Sequence, residues 1–256
     1  KYKPYTVKDV KKASAENKFS VISCFAGGGG SSTGYRLAGG TILLINEFVE
    51  EAISSYKKNY PDTPVLVDDI KKYSGQDFLD KVKLKEGELD ILDGSPPCSA
   101  FSVAGKREKG WDKTKNYSDG KTVENIEDLF LDFIRVAKEI KPKVIVAENV
   151  KGITFGEAKG KLFEFIKEFE SIGYLVTYKV LNAADFGVPQ ARERTIFICV
   201  REDVADAIGL SFLNLVGIFP GEFGYQISME DAIENIKNDE NEIKELKEYY
   251  EGSFQK

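Results

Sequence analysis

A pair of consecutive prolines, Pro96 and Pro97, constrains the fold of this chain more sharply than any other feature of its sequence. The prolines follow residues 89–92, an apolar run that is typical of a short buried strand. Because neither proline has an N–H and each fixes φ, neither a helix nor a central strand can continue through them. The chain therefore leaves the sheet abruptly and carries Cys98 on a stiff loop beyond a strand end, where open α/β sheets bind ligands. Cys98 is a candidate nucleophile, although a turn with an incidental thiol would explain this stretch equally well.

The length and composition indicate one large α/β domain with a small appendage. The chain has 256 residues, of which 42% are apolar and 30% charged, which suffices for a sizeable core and is ordinary for a globular protein. No apolar run approaches the length of a membrane span, so no membrane association is expected. The net charge of −6 argues against a protein whose whole surface binds nucleic acid, although it is compatible with a local basic cleft.

The histidine and cysteine contents limit the chemistry. The chain contains no histidine, so a general acid or base must be a carboxylate, Lys, Tyr, Cys or water. Hydrolytic Cys-His and Ser-His-Asp mechanisms are excluded for the same reason. The three cysteines are too few and too scattered for a disulfide framework or a zinc site. This cysteine usage predicts a protein of the reducing cytoplasm.

A glycine-rich segment follows the first predicted strand, residues 19–25. Four consecutive glycines, Gly27–Gly30, permit a tight turn and the close approach of the backbone to a ligand. Ser31 or Ser32 could cap the helix that follows. A glycine-rich connection between a strand and a helix favours nucleotide binding, but the spacing is not G-x-G-x-x-G and no Gly-Lys-Ser/Thr is present, so a merely flexible turn is the alternative.

Acidic residues follow the next two predicted strands. Glu47 comes after residues 41–46, and in such folds this acid accepts hydrogen bonds from ribose hydroxyls, while Phe48 could stack on an adenine ring. Alternatively, Glu47 only caps the following helix. Asp69 lies near the end of a third short strand, residues 64–70, where it could contact the exocyclic amine of adenine.

The C-terminal half adds further charged residues beside predicted strands. Glu148 follows the apolar strand 144–147, where a carboxyl group should be partly desolvated. Arg192 and Arg194 precede the last strand at a spacing that places both on one face of an extended chain. They are either a clamp for an anion or a base edge, or a solvated strand start. The long charged segment 103–122 is predicted to be a lid or a binding loop.

Several of these motifs, in this order, resemble one family. They are Phe25-Ala26-Gly27-Gly28-Gly29, Glu47, Pro96-Pro97-Cys98, Glu148-Asn149-Val150 and Gln190-Ala191-Arg192-Glu193-Arg194. Over residues 19–201 the chain resembles the S-adenosylmethionine-dependent DNA (cytosine-5) methyltransferases. The resemblance implies a Rossmann-like α/β methyltransferase fold with a mostly parallel, seven-stranded type of sheet and one antiparallel strand, the last.

The resemblance also assigns catalytic roles. Cys98 would add as a thiolate to C6 of cytosine, and Glu148 would protonate or hydrogen-bond N3, so that C5 becomes nucleophilic and takes the methyl group. Arg194 would help to hold the base. Because C6 cannot be reached inside a duplex, the base would be flipped out of double-stranded DNA.

The remaining assignments concern binding residues. The implied S-adenosylmethionine pocket contains Phe25, Gly27, Gly29, Glu47, Phe48, Asp69, Ile70 and Pro97. The implied substrate contacts are Ser102, Asn149, Gln190 and Arg192. No metal is implied. Ser99 stands where the family commonly has Gln, which affects details of the loop after Cys98 and not the nucleophile.

The domain organisation departs from the family pattern. We predict an N-terminal arm at 1–18, a catalytic domain at 19–201 and, at 202–256, the start of a connection to a target-recognition region. No segment matching the family's C-terminal motifs is found, so we expect a missing region or a second subunit to complete recognition. The alternatives are the same chemistry on tRNA, a cofactor-binding half that is inactive alone, and, remotely, an NAD-dependent oxidoreductase.

Overall fold

The computed structural model describes residues 5–97, 115–116, 122–123, 126–156 and 158–233. The catalytic candidate Cys98 and the substrate-binding candidate Ser102 lie outside the described residues. So does most of the predicted lid segment 103–122, of which a short hairpin is described.

The described chain alternates strands and helices, as expected for an α/β fold. The strands are β1 Ser20–Cys24, β2 Thr41–Asn46, β3 Val65–Leu66, β4 Ile91–Gly94, β5 Lys115–Asn116, β6 Thr122–Val123, β7 Val144–Val150, β8 Tyr174–Asn182 and β9 Glu193–Arg201. The α-helices are α1 Val7–Ser14, α2 Gly30–Leu37, α3 Glu50–Asn59, α4 Gly75–Val82, α5 Ile126–Ile140, α6 Ala158–Ser171, α7 Glu202–Ala207 and α8 Met229–Ile233.

Seven of the strands form one sheet in the order β3-β2-β1-β4-β7-β9-β8. β1 pairs in parallel with β2 and β4, β2 with β3, and β4 with β7, whereas β9 pairs antiparallel with β7. The predicted mostly parallel sheet and its antiparallel last strand are thus confirmed. Because the chain moves outward from β1 to β3 and then returns to β4 beside β1, the direction of winding reverses between β1 and β4. Ligands bind at such a switch point, outside the carboxyl ends of the strands.

Helices cover both faces of this sheet because alternate strand residues are apolar on both sides. Val21 packs in a cluster with side chains of α1 and α3, whereas its neighbour Ile22 packs with those of α4, α5 and α6. In the cluster that contains Ile22, the rings of Phe130 and Phe165 stack with centroids 3.9 Å apart. The sheet is therefore held rigidly between two helical layers, and its strand ends provide fixed positions for functional residues.

The third predicted strand is shorter than expected. The pattern predicted a strand over residues 64–70, but β3 contains only Val65 and Leu66. Asp69 Oδ1 accepts a hydrogen bond from Lys71 N at 3.0 Å and so begins a 3₁₀ turn, Ile70–Lys72. Short acidic side chains compete with sheet hydrogen bonds in this way, and the prediction of a longer strand was wrong for that reason.

By its packing the chain divides into two compact units. The larger contains Thr6–Val180 and Arg194–Pro220, and the described part of the smaller contains Tyr5, Leu181–Glu193 and residues 221–233. In the smaller unit, Asn182 Oδ1 accepts a hydrogen bond from Arg192 N at 3.0 Å, and the backbone N–H of Phe223 donates to the Asp185 carbonyl at 2.9 Å. The predicted boundaries at residues 18 and 201 remain a prediction. In the described part of the chain, no helix is both long and apolar enough to cross a membrane.

Candidate active site at the carboxyl edge of the sheet

The site is built on the loops that leave β1 and β4, the two strands at the switch point. β1 continues into Phe25–Gly29, here called the glycine turn, and β4 continues into Pro96 and Pro97. Because β1 and β4 are parallel neighbours, both loops leave the same edge of the sheet. The described part of the second loop ends at Pro97, immediately before Cys98.

The backbone of the glycine turn adopts conformations that favour glycine. Gly27 and Gly29 have φ values of +54° and +94°, and Phe25 has φ +54°, which is uncommon for a residue with a side chain. A Cβ on Gly29 would lie 2.9 Å from the ring of Tyr56, whereas a Cβ on Gly27 would have no atom of the described residues within 4 Å. Gly29 therefore permits the close packing of the turn against Tyr56. Gly27 leaves the space beside its backbone open among the described residues. Gly29, not a serine, is the N-cap of α2, so the predicted capping by Ser31 or Ser32 was wrong.

The Glu47 side chain is hydrogen-bonded to the glycine turn. Its side chain is buried, at 7% exposure, and Oε2 accepts a hydrogen bond from Gly27 N at 2.8 Å. Oε1 accepts from the backbone N–H groups of Phe48 and Val49 at 2.9 and 3.0 Å. Since a carboxylate has about four acceptor sites, these three bonds leave capacity for a hydroxyl donor. Glu47 therefore shapes the turn and the start of the next helix, and it can still accept a bond from a ribose.

The other predicted pocket residues occupy the neighbouring loops. Phe48 is half-buried and packs against the core cluster. The carboxylate of Asp69 is held by the Lys71 backbone N–H, and the Ile70 side chain is buried in the core at 1% exposure. A contact between Ile70 and a cofactor would therefore involve its backbone. Asn46 supports this loop, since its side-chain amide donates to the Leu66 and Asp68 carbonyls at 3.1 and 2.9 Å.

Glu148 and Arg194 form an ion pair at the same edge of the sheet. Arg194 Nε lies 2.9 Å from Glu148 Oε1, and the two side chains are 26% and 31% exposed. Arg194 pairs with Val150 and Ile196 pairs with Glu148 in the β7–β9 register, so the charged residues are diagonal neighbours on one face. Both are partly buried and both remain accessible, as a group that contacts a substrate must be.

Asn149 is placed differently from the other predicted substrate contacts. It is buried at 2% exposure, and its Oδ1 accepts a hydrogen bond from Val150 N at 2.8 Å. Asn149 therefore shapes the end of β7 from within. Gln190 and Arg192 belong to the smaller unit, where both are exposed.

The two described cysteines are poor candidates for a nucleophile. Cys24 and Cys199 are buried, and burial raises the pKa of both thiols well above their ordinary value. The negative charge of Asp93 raises the pKa of Cys24 further. Since the thiolate is the reactive form, neither of these two cysteines is suited to nucleophilic chemistry, and the prediction for Cys98 stays a prediction.

Sequence reasoning did not identify Asp93. This residue of β4 is buried at 7% exposure and accepts hydrogen bonds from the hydroxyl groups of Ser23, Ser31 and Tyr35. The available signal was an acid inside an otherwise apolar strand, directly before the glycine and prolines that lead to Cys98. A buried acid requires partners, and the serines beside the glycine turn were candidates.

The chemistry of these residues fits the adenosine part of S-adenosylmethionine. The open space beside Gly27 allows a ligand to approach the backbone closely. The buried Glu47 carboxylate, which accepts a hydrogen bond from Gly27 N, retains capacity for a further donor. Phe25, Phe48 and the loop after β3 supply apolar and polar groups for a ring. A lining of this kind, apolar with a few fixed polar groups, is typical of cofactor sites.

Comparison with known proteins identifies the family. A model of the C-5 cytosine-specific DNA methylase family matches residues 19–256. The chain is 38% identical over 190 residues to the type II methyltransferase M.AquIA of Picosynechococcus sp., covering 70% of each protein. It is 34% identical over 221 residues to the type II methyltransferase M.Eco47II of Escherichia coli, covering 86% of this chain and 46% of that one. The chain thus spans less than half of the second relative.

Solved structures share the fold. A DNA modification methyltransferase encoded within an E. coli prophage superposes with a TM-score of 0.66 at 23% identity, over 84% of this chain and 54% of that one. The Dnmt2 methyltransferase of S. pombe superposes with a TM-score of 0.53 at 18% identity, over 87% of this chain and 56% of that one. The resemblance inferred from the ordered motifs is confirmed, and the chain belongs to the C-5 cytosine-specific DNA methylase family.

Proposed function

We propose that this chain transfers a methyl group from S-adenosylmethionine to C5 of a flipped-out cytosine in DNA, through a covalent bond between Cys98 and C6. The observation that carries the proposal is the Glu148–Arg194 pair on β7 and β9. β7 is the neighbour of β4, the strand that leads to Cys98. The family membership and the type II methyltransferase relatives support DNA as the substrate and a role in DNA modification.

Cytosine C5 is a weak nucleophile, and the residues at this edge supply what the reaction requires. The Cys98 thiolate donates an electron pair to C6, and the displaced ring electrons are stabilised when Glu148, as a carboxylic acid, donates a proton or hydrogen bond to N3. When bound, S-adenosylmethionine would supply an electrophilic methyl group to C5, and breakage of its S–CH3 bond would leave S-adenosylhomocysteine. Loss of the C5 proton to a base then restores the C5–C6 double bond and expels the Cys98 thiolate, and the proton on N3 returns to the Glu148 carboxylate.

The remaining residues bind and orient. Arg194 holds the Glu148 carboxyl group in one direction and presents a guanidinium that can hydrogen-bond the base. Glu47 and the glycine turn hold the ribose and the adjoining chain of S-adenosylmethionine. Ser102, Gln190 and Arg192 contact the nucleic acid, and the two prolines limit the motion of the nucleophile's loop. The flipped base is reached through an opening of the duplex, which costs a few kcal/mol of unstacking.

The test is transfer of a labelled methyl group from S-adenosylmethionine to DNA of mixed sequence and, separately, to tRNA. A Cys98→Ser variant and a cofactor-binding titration serve as controls. Transfer to DNA that disappears in the variant supports the proposal, whereas transfer confined to tRNA overturns the substrate. Cofactor binding without transfer to either nucleic acid indicates that recognition requires residues of a partner subunit or a further region. Absence of cofactor binding overturns the proposed pocket.

The covalent step has its own test. Cytosine with fluorine in place of the C5 hydrogen cannot lose a proton at C5, so the Cys98 adduct should accumulate on such DNA. Mass spectrometry of the digested complex should place the nucleotide on the peptide that contains Cys98. Label on another residue, or no adduct with an active enzyme, would overturn the proposed intermediate.

A further inference from the structure

A single buried carboxylate, that of Asp93, is bound by side chains on both sides of the glycine turn. Asp93 Oδ2 accepts hydrogen bonds from Ser23 Oγ at 2.7 Å and from Ser31 Oγ at 2.9 Å. Its Oδ1 accepts a hydrogen bond from Tyr35 OH at 3.2 Å. The side chain itself belongs to β4, so that one group joins β1, β4 and the first turns of α2.

The positions of the donors along the chain show which segment the Asp93 carboxylate holds in place. Ser23 lies on β1, one residue before that strand ends, and Ser31 is the second residue of α2. The glycine turn occupies the interval between them, so both of its ends are fixed to the same carboxylate. A second link joins the loops directly, since Ser95 Oγ donates to the Phe25 carbonyl at 3.3 Å.

Packing alone does not require an acid at this position. Burial raises the pKa of Asp93, and the hydrogen bonds from Ser23, Ser31 and Tyr35 only partly offset this effect. An apolar side chain would avoid the cost of burying a carboxyl group. The Asp93 carboxylate keeps all three hydroxyl hydrogen bonds only when the donors keep their positions, and such polar networks specify one arrangement of the elements they join.

We propose that Asp93 is a positioning residue that fixes the glycine turn for S-adenosylmethionine binding. The inference rests on the proposed function, because it assigns the turn to that cofactor. Asp93 is buried, so we infer that it acts through Ser23 and Ser31 on the backbone between them. Loosening this anchor should weaken cofactor binding. A variant that keeps the Asp93 charge, which interacts with that of Glu148, should do so without changing the chemical step.

The amino-terminal end of the same two strands offers a matched control. Asp90, the residue directly before β4, accepts hydrogen bonds from Ser20 N at 2.8 Å, from Ser20 Oγ at 2.9 Å and from Lys143 Nζ at 2.7 Å. It joins β1 to β4 as Asp93 does, but at the opposite, amino-terminal end of the strands. Substitution of Asp90 therefore weakens hydrogen bonds between the same two strands without affecting the glycine turn.

The experiment compares Asp93→Asn and Ser31→Ala with Asp90→Asn and Ser20→Ala. For each variant we would measure the Kd of S-adenosylmethionine by calorimetry, the KM and kcat of methyl transfer, and unfolding by urea. Ser31→Ala and Asp93→Asn both loosen the anchor, and Ser31→Ala, which keeps the Asp93 charge, should leave kcat unchanged. Asp93→Asn keeps the shape and one acceptor oxygen, and should raise the Kd and KM of the cofactor about tenfold, the size expected for a lost charged hydrogen bond. Ser31→Ala, at an exposed residue that should not disturb folding, should raise them about threefold. The two control variants should leave both constants unchanged.

The outcomes separate this inference from the proposed function. If the unsubstituted chain binds no S-adenosylmethionine, the proposed pocket fails and the inference fails with it. If the chain binds the cofactor and Asp93→Asn binds it equally well, the proposed function stands and only the inference is overturned. An equal rise in KM for Asp93→Asn and Asp90→Asn would also overturn it, because both would then act through general stability.

Discussion

Arg194 Nε lies 2.9 Å from Glu148 Oε1, and this contact joins the ends of β7 and β9. The antiparallel pairing of these strands brings together residues that are far apart in the sequence. In the proposed reaction Glu148 donates to a ring nitrogen and must therefore point in one direction, and the Arg194 guanidinium provides that restraint. The pair therefore makes a specific prediction about activity.

Glu148→Gln should lower kcat by about 10² to 10⁴, the usual contribution of a general acid, because the amide keeps the shape but cannot release a proton at N3. The Kd of S-adenosylmethionine should stay within twofold. Arg194→Lys should also lower kcat, though less, because an ammonium keeps the charge but loses the planar geometry. Single-turnover methyl transfer with saturating cofactor measures both effects. A fully active Glu148→Gln variant would exclude this residue as the acid.

Gly94→Ala tests the strand that leads to Cys98. A Cβ at this position would lie 2.4 Å from the ring of Phe133, which is itself fully buried at 0% exposure. Overpacking of this kind typically costs about 1–3 kcal/mol, and displacement of β4 should also reduce transfer. Gly160→Ala is the matched control, since a Cβ there meets no atom within 4 Å and alanine favours helix. Urea unfolding should show a loss for the first variant and a neutral or stabilising effect for the second; equal stabilities would contradict the packing argument.

The sequence predicted the α/β fold because the strands are apolar runs interrupted by glycine or proline, and these signals are local. The Pro96-Pro97 exit and the glycine turn were recognised for the same reason. The length of β3 was overestimated because the hydrogen bond of Asp69 to its own loop competes with the sheet, and periodicity does not report such competition.

The candidate site was predicted as a set of residues, but not as a set of contacts. The pairing of Glu148 with Arg194 depends on the β7–β9 register, which no local pattern specifies. Asp93 and Ser23 are opposite each other on neighbouring strands, so their hydrogen bond also required the sheet order. The serines near the glycine turn were interpreted as helix caps because capping is the local use of serine.

Glu47→Gln tests the hydrogen bonds that hold the glycine turn. An amide in place of this carboxylate cannot accept all three of its backbone N–H bonds, and charged hydrogen bonds of this kind are worth about 1.5–3 kcal/mol. We expect the Kd of S-adenosylmethionine to rise about 10- to 100-fold, with a loss of stability. Glu51→Gln, at an exposed acid that is the second residue of the following helix, should leave the Kd unchanged. Calorimetric titration of both variants decides the matter, and equal affinities would remove Glu47 from the pocket.

Two carboxylates, that of Asp93 in β4 and that of Asp90 directly before it, should respond to pH in opposite directions. Burial raises the pKa of Asp93 in the folded protein, so its contribution to stability is complete below the unfolded pKa and is lost as the pH rises through the folded pKa. For Asp90 partial burial also acts to raise the pKa, but the hydrogen bonds from Lys143 and Ser20 outweigh it and lower the pKa. Its contribution is present above the unfolded pKa and is lost as the pH falls through the folded pKa.

Urea unfolding between about pH 3 and pH 8, on either side of the ordinary aspartate range, measures both effects. The stability of the native sequence relative to Asp93→Asn should decrease as the pH rises. Relative to Asp90→Asn it should decrease as the pH falls. Parallel curves for the two variants would show that the surroundings of the two carboxylates do not differ as the structure indicates.

Thiol reactivity tests the choice of Cys98 among the three cysteines of the chain. Cys24 and Cys199 are 1% and 0% exposed, and burial raises the pKa of both thiols, so neither forms the thiolate that reacts with an alkylating agent. Iodoacetamide should therefore modify the folded protein at Cys98 alone and the urea-unfolded protein at all three positions. The folded Cys98→Ser variant should take up no label, as followed by mass spectrometry over time. Rapid labelling of that variant while it remains folded would show a second accessible thiolate, and the assignment of the nucleophile would then have to be decided between two cysteines.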